Sequence, residues 1–268
     1  MRSSSWMAGT VAALALASAA AAAEVRVVED DAWCRQDGWN DHARYCEVRE
    51  ATLPAGGLLA VDARPNGGIQ VKGGNGSEVR LRVKIEAGAE SEAEAKDVVG
   101  DVRLELGDTV KAVGPDRSEA RHWSASYQLE VPRGSRVRLQ ADNGGLSLAG
   151  FDGEAELHTV NGGLHLDHVG GHVQGETVNG GIHVELSGTQ WKGDGLDVHT
   201  TNGGLHLEIP AGYNARLETG TVNGGVRSDV PLTTRGRYTG GRIQAALGSG
   251  GPLVRVETTN GGLRVQQR

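Results

Sequence analysis

One phrase recurs down the second half of this chain. Thr159-Val160-Asn161-Gly162-Gly163-Leu164-His165-Leu166-Asp167 returns as Thr177-Val178-Asn179-Gly180-Gly181-Ile182-His183-Val184-Glu185. It returns again as Thr200-Thr201-Asn202-Gly203-Gly204-Leu205-His206-Leu207-Glu208. Self-similarity at a period of about twenty residues marks a stacked-repeat architecture, in which each unit buries its apolar face only against its neighbours. Asn-Gly-Gly occurs seven times, with Asn at 66, 143, 161, 179, 202, 223 and 260. From Asn143 onward the spacings are 18, 18, 23, 21 and 37, and a worn copy at 239–244 falls in the last gap. Gly170-Gly171 marks another turn midway between two copies, so the working unit is one short strand and one corner.

Two architectures share that period. Asn-Gly between alternating strands is a hairpin signal, and a meander of hairpins would place each turn at one end of an antiparallel sheet. A solenoid would place each at the same corner of a coil, one rung above the last. The columns beside the corner favour the solenoid. The third and fifth residues after each Asn are aliphatic in nearly every copy (Leu164 and Leu166, Ile182 and Val184, Leu205 and Leu207) and point inward together, because alternate strand residues share a face. The fourth points outward as Ser147, His165, His183, His206, Arg227 and Arg264, beside an outward sixth column that holds Asp167, Glu185 and Glu208. The corner residues Asn143, Asn161, Asn179, Asn202, Asn223 and Asn260 tolerate left-handed backbone and can hydrogen-bond up the stack. Two residues before the corner runs a threonine column, from Thr159 to Thr258.

The expected fold is therefore all-β: a β-solenoid of stacked short strands with one short helix inserted near the N-terminal third. Residues 53–140 hold a first repeat unit with an α+β elaboration. Its helix is expected at Ser91–Val99, opened by the capping box Ser91-Glu92-Ala93-Glu94. Residues 141–268 hold the dense repeats. The composition agrees, with 42 Gly and a single Phe, too few large side chains for an ordinary compact core of this length.

Residues 1–23 read as a signal peptide, with Arg2, a short apolar run and Ala21-Ala22-Ala23 at the cleavage point. Without Arg2 the 27 basic residues become 26 against 34 acidic, a balance of −8. That balance argues against nucleic acid as a partner. No apolar stretch approaches the ~20 residues of a transmembrane helix. In an exported chain Cys34 and Cys46 read as a disulfide, closing residues 24–52 into an N-terminal cap. Trp33, Trp39 and Tyr45 around it are expected to plug one end of the apolar core. A metal site at Cys34, Cys46 and His42 is the weaker alternative, lacking paired zinc spacing.

The histidine column His165, His183 and His206, beside its acids, supplies the candidate ligands for a metal or pH-responsive surface. The plainer reading, which we prefer, makes these residues partners of the acidic column on a solvated face; no metal and no cofactor is assigned. Carboxylates recur in every rung, so none stands out as an acid/base pair for glycan cleavage, and no nucleophile or phosphate-loop motif appears. The repeats, the Leu-Pro-x-Gly turn at Leu53 and the helix together resemble the bacterial putative-adhesin family of unknown function, over about Val48 to Arg268. That resemblance implies a non-catalytic, β-rich exported protein of the periplasm or cell surface, whose partner is a protein or glycan of the envelope. The terminal strand Leu263–Gln267 is expected to be an open edge available for self-association.

Overall fold

The computed structural model of the chain describes residues 23–28, 32–35, 43–230 and 242–268. All of the expected leader but Ala23, together with Trp39, His42 and residues 239–241 of the worn copy, lies outside the described residues. Strands β1 (Arg26–Val28) and β2 (Ala43–Pro54) flank a 3-10 turn at Ala32–Arg35. Strands β3 (Leu58–Asp62) and β4 (Ile69–Gly74) form a first coil around the Asn66 corner. An excursion follows through β5 (Glu78–Ala89), helix α1 (Glu92–Asp101), β6 (Arg103–Leu106), β7 (Thr109–Val113) and β8 (His122–Pro132). Successive coils are then β9 (Arg136–Ala141) with β10 (Leu146–Ala149), β11 (Glu154–Thr159) with β12 (Leu164–Asp167), and β13 (His172–Asn179) with β14 (Ile182–Glu185). Next come β15 (Gly195–Asn202) with β16 (Leu205–Ile209) and β17 (Ala215–Asn223) with β18 (Val226–Ser228). After β19 (Arg242–Leu247), the chain closes with β20 (Leu253–Asn260) and β21 (Leu263–Gln267).

These strands build two sheets. One runs β1-β2-β5-β8-β4-β10-β12-β14-β16-β21-β18 and the other β19-β17-β20-β15-β13-β11-β9-β3-β7-β6. Each Asn-Gly-Gly carries the chain from the second sheet to the first. Neighbouring repeats pair in parallel and in register, Leu146 with Leu164, Leu164 with Ile182 and Ile182 with Leu205. Parallel pairing excludes the meander of hairpins and makes the chain an all-β solenoid.

Alternation decides what is inside. Leu146, Leu148, Leu164, Leu166, Ile182, Val184, Leu205 and Leu207 are all buried, facing Leu157, Val173, Val198 and Val256 from the other sheet. The second corners, where the chain returns from the first sheet to the second, are filled by buried Phe151, Val169, Trp191 and Tyr213. Those few large side chains close one side of a largely aliphatic core, to which β8 adds buried Trp123 and Tyr127.

The stacking order departs from the chain order. The last coil, β20 with β21, lies between β15/β16 and β17/β18 rather than beyond them. Strand β19 pairs antiparallel on the outer side of β17. The expected open edge at Leu263–Gln267 is therefore corrected. Leu263 is matched to Leu205 on one side and Val226 on the other, so its backbone groups are already used. The edges of the sheets at this end are β18 and β19.

At the opposite end, α1 covers the core with Ala95, Val98 and Val99. Ser91 caps it, its hydroxyl accepting from the Glu94 N–H at 3.2 Å. The Arg49 guanidinium donates to the Val99 carbonyl at 2.9 Å and to that of Val102, placing a cation where the helix carbonyls end. Cys34 and Cys46 are bonded, with Cα atoms 5.7 Å apart. Most of the loop they close, Trp39 included, lies outside the described residues. Trp33 lies beside Arg82 and Lys84, at 5.8 and 5.5 Å, on the face of β5 opposite the buried Leu81, Val83 and Ile85. Tyr45 alternates to the other face and packs against the core.

Candidate functional site

The corners are held by two columns of hydrogen bonds. Asn143 donates to the Asn66 side-chain oxygen, Asn161 to Asn143, Asn179 to Asn161, Asn202 to Asn179, Asn260 to Asn202 and Asn223 to Asn260, all at 2.8–3.0 Å. One asparagine ladder thus runs through all seven corners and follows the stacking order, not the chain order. Inside it, Thr159, Thr177, Thr200, Thr258 and Thr221 are buried, and each hydroxyl donates at 2.7–2.9 Å to the carbonyl of the first corner glycine one rung away. A buried hydroxyl needs such a partner, and among the described residues no buried side-chain nitrogen or oxygen lacks one.

The two glycines of each corner serve different ends. A Cβ on the first would strike a neighbouring carbonyl oxygen, 2.1 Å away at Gly162 and 2.0 Å at Gly203. A Cβ on the second is less crowded, and how much depends on the corner: its nearest atom would be a backbone carbonyl oxygen at 3.0 Å at Gly68 and Gly163, 3.2 Å at Gly181 and 3.4 Å at Gly145, but 3.6 Å away at Gly204 and 3.9 Å at Gly262, with nothing near at Gly225. The second glycines point outward, on the same face as the histidines. Gly68, Gly145, Gly163, Gly181, Gly204 and Gly262 floor a groove of about 840 Å³ along the outer face of the first sheet. Gln70, Ser147, His165, His183 and His206 form one wall, and Trp33 and Lys84 also line it.

The histidine column is in register, His165 beside His183 and His183 beside His206. The first pair stacks flat, with ring centroids 4.8 Å apart and planes 6° from parallel. The second pair is turned edge to face, at 5.0 Å and 70°. That turn brings the Nε2 atoms of His183 and His206 to 4.0 and 3.8 Å from Glu208 Oε1. Burial, then the imidazoles of His165 and His206, hold the His183 pKa below the ordinary histidine value, against the pull of Glu208 and Glu185. The acidic column is flanked by Arg268, which contacts Glu185 and lies 4.0 Å from Glu208 Oε2. A second trio, Asp167, His168 and Glu185, sits alongside. His168, at φ 53°, is the one non-glycine with positive φ among the described residues.

Of the ligands considered from sequence, His183 and His206 converge on Glu208, while exposed His165 stands outside that trio. Sequence reasoning gave no site role to Trp33, which it assigned to the cap, to Gln266, or to Arg268. Gln266 occupies the acidic column's position in the last repeat, which was a readable signal; Trp33 and Arg268 lie outside the repeat and carry none.

No family model matches the chain, and no curated protein matches it. Among solved structures, a putative cell adhesion protein from Clostridium sporogenes aligns with 84% of this chain and 100% of its own, at 9% identity and TM-score 0.46. A putative adhesin from Bacteroides fragilis aligns with 84% of this chain and 97% of its own, at 9% identity and TM-score 0.44. Likeness at this level does not locate a binding site.

Proposed function

We propose that this chain is a non-catalytic binding module of the cell envelope, and that the groove on the outer face of the first sheet takes an extended ligand, a glycan chain or a protein segment. The observation that carries this is the second glycine of the last three corners. At Gly204, Gly262 and Gly225 a side chain would fit, and backbone conformation does not demand glycine there. What the bare positions do is keep the groove open. Its glycine floor spans six rungs, about 24 Å at ~4.8 Å per rung, which suits a linear ligand. The Cys34–Cys46 disulfide supports an oxidising compartment, hence export to the periplasm or cell surface. No helix of the described residues is long and apolar enough to cross a membrane.

The carbohydrate-cleaving alternative draws no comparable support. A general acid needs a carboxyl with a raised pKa. Among the described residues, Glu50 and Asp62 are carboxylates held low by arginines, the opposite of that need. The binding reading is tested by filling the groove. Gly204→Leu and Gly262→Leu should abolish capture of envelope glycans or proteins by the immobilised chain while the circular dichroism spectrum stays unchanged. Capture that survives both substitutions would remove the groove from the account.

A further inference from the structure

We infer that His183, His206 and Glu208 form a binding site for one divalent transition-metal ion, with Zn2+ or Cu2+ the best match. This goes beyond the groove reading and does not depend on what the groove binds. The three side chains come from adjacent rungs. His183 on β14 and His206 on β16 are directly matched, and Glu208 follows on the same outward face of β16. Their donor atoms all lie within 4.8 Å of one another. Two of the separations, 4.0 and 3.8 Å, end on the same oxygen, Glu208 Oε1. Ligands at 2.0–2.1 Å around a tetrahedral ion sit about 3.4 Å apart, so closing on an ion asks the two distances to Glu208 to shorten by roughly half an ångström and the distance between the imidazole nitrogens by at most about 1.4 Å.

The turn of the His206 ring is the second observation. Had the stacked arrangement of His165 and His183 continued down the column, its nitrogens would run parallel. Instead His206 is rotated by 70° against His183. The side chains are part-buried, at 30, 33 and 23% exposure for His183, His206 and Glu208, and stand on paired strands, so little freedom is lost on binding. The outer shell is also present. Arg268 lies beside the other oxygen of Glu208, Oε2, at 4.0 Å, leaving Oε1 for the ion. Gln266 Oε1 lies 3.3 Å from His206 Nε2 and offers an oxygen as fourth ligand. When the ion binds His206 Nε2, a proton carried there is released to solvent and the ion takes its place between imidazole and amide oxygen.

Two imidazoles and one carboxylate suit zinc or copper and discriminate against calcium and magnesium, which take oxygen ligands. The neighbouring trio is the poorer choice. It supplies one imidazole, its His168 Nδ1 is already against Asp167, and Glu185 is held by Arg268.

Isothermal titration of the tag-free mature chain with ZnCl2 and with CuSO4 tests this. The expected result is one ion per chain, undisturbed by millimolar Ca2+ or Mg2+. His183→Ala, His206→Ala and Glu208→Gln should each weaken affinity at least ten-fold, and His165→Ala by less than three-fold. Because all of these residues face outward, circular dichroism should show each variant folded, and His183→Gln supplies an uncharged, similarly sized second variant. Three results would overturn the inference: no saturable one-to-one binding, affinity unchanged in the His183→Ala/His206→Ala/Glu208→Gln triple variant, or affinity lost in Asp167→Asn/His168→Ala instead.

Discussion

Adjacent glycines of one corner should respond oppositely to the same substitution. In Gly203→Ala the new Cβ would lie 2.0 Å from the Gly180 carbonyl oxygen, 2.5 Å from its carbon and 3.0 Å from the Gly181 nitrogen. All three are backbone atoms of a paired rung, so no side chain can swing away. The same Gly180 oxygen accepts the buried Thr200 hydroxyl at 2.8 Å, and Asn202 donates to Asn179 at 2.9 Å across the same step. Separating the rungs by the ångström or more that the clash requires breaks both bonds and leaves a buried hydroxyl unpaired, a loss of about 3 kcal/mol. In Gly204→Ala the nearest atom is 3.6 Å away and φ is unremarkable, so no clash arises. Fewer unfolded conformations then stabilise the chain by about 0.4–1 kcal/mol. In thermal melts, Gly203→Ala should lower Tm by about 6–12 °C and Gly204→Ala should raise it by about 1–4 °C. Equal shifts, or a larger loss in Gly204→Ala, would refute the assignment of steric necessity to Gly203 and open space to Gly204.

Thr177→Val keeps the shape but removes the 2.7 Å bond to the Gly162 carbonyl, and should cost about 1–3 kcal/mol in urea unfolding. Deleting residues 263–268 withdraws an interior strand, so the product should aggregate or melt early rather than merely lose a surface contact. Cys34→Ser/Cys46→Ser should lower stability by about 2–3 kcal/mol and shift tryptophan fluorescence as Trp33 leaves Arg82 and Lys84. Burial raises the Asp62 pKa, but the Arg64 hydrogen bonds outweigh it and the net shift is downward; the Arg26 hydrogen bond leads the lowering at Glu50. Depressed carboxylates contribute stability above their unfolded pKa of about 4, and lose it as pH falls through the folded value. Stability should therefore drop on acidification below about pH 4, and Asp62→Asn should make that drop shallower.

What was legible in the sequence follows from strand alternation. Leu164, Leu166 and their counterparts had to face one way and His165 and Asp167 the other, and the repeated corner fixed them in register. The stacking order was not legible, because rungs with the same corner fit equally well beside one another. Nothing in Asn223 or Asn260 says which lies next to Asn202, and the long gap between them is consistent with either order. The docking of Trp33 was not legible for a different reason. Trp33 belongs to no repeat, and its docking against Arg82 and Lys84 depends on a face of β5 that a pattern of alternating residues leaves free. The trio of His183, His206 and Glu208 was half legible: the columns placed the residues together, but the turned His206 ring that sets His165 apart from them is a matter of side-chain rotation.

The in-register corner stack, with its last coil inserted, is most directly tested by cysteine cross-linking on the outward face. His206 and Arg264 are matched on adjacent rungs, and Arg264 is matched in turn to Arg227. Adjacent parallel rungs hold Cα atoms about 4.8 Å apart, within reach of a disulfide, whereas rungs two steps apart lie near 9.6 Å, beyond it. His206→Cys/Arg264→Cys should oxidise readily to an intramolecular bond, and His206→Cys/Arg227→Cys should not. A bond in the second pair but not in the first would show the coils stacked in chain order and contradict the inserted last coil, on which the sixth rung of the groove and the Gln266 contact to His206 rest.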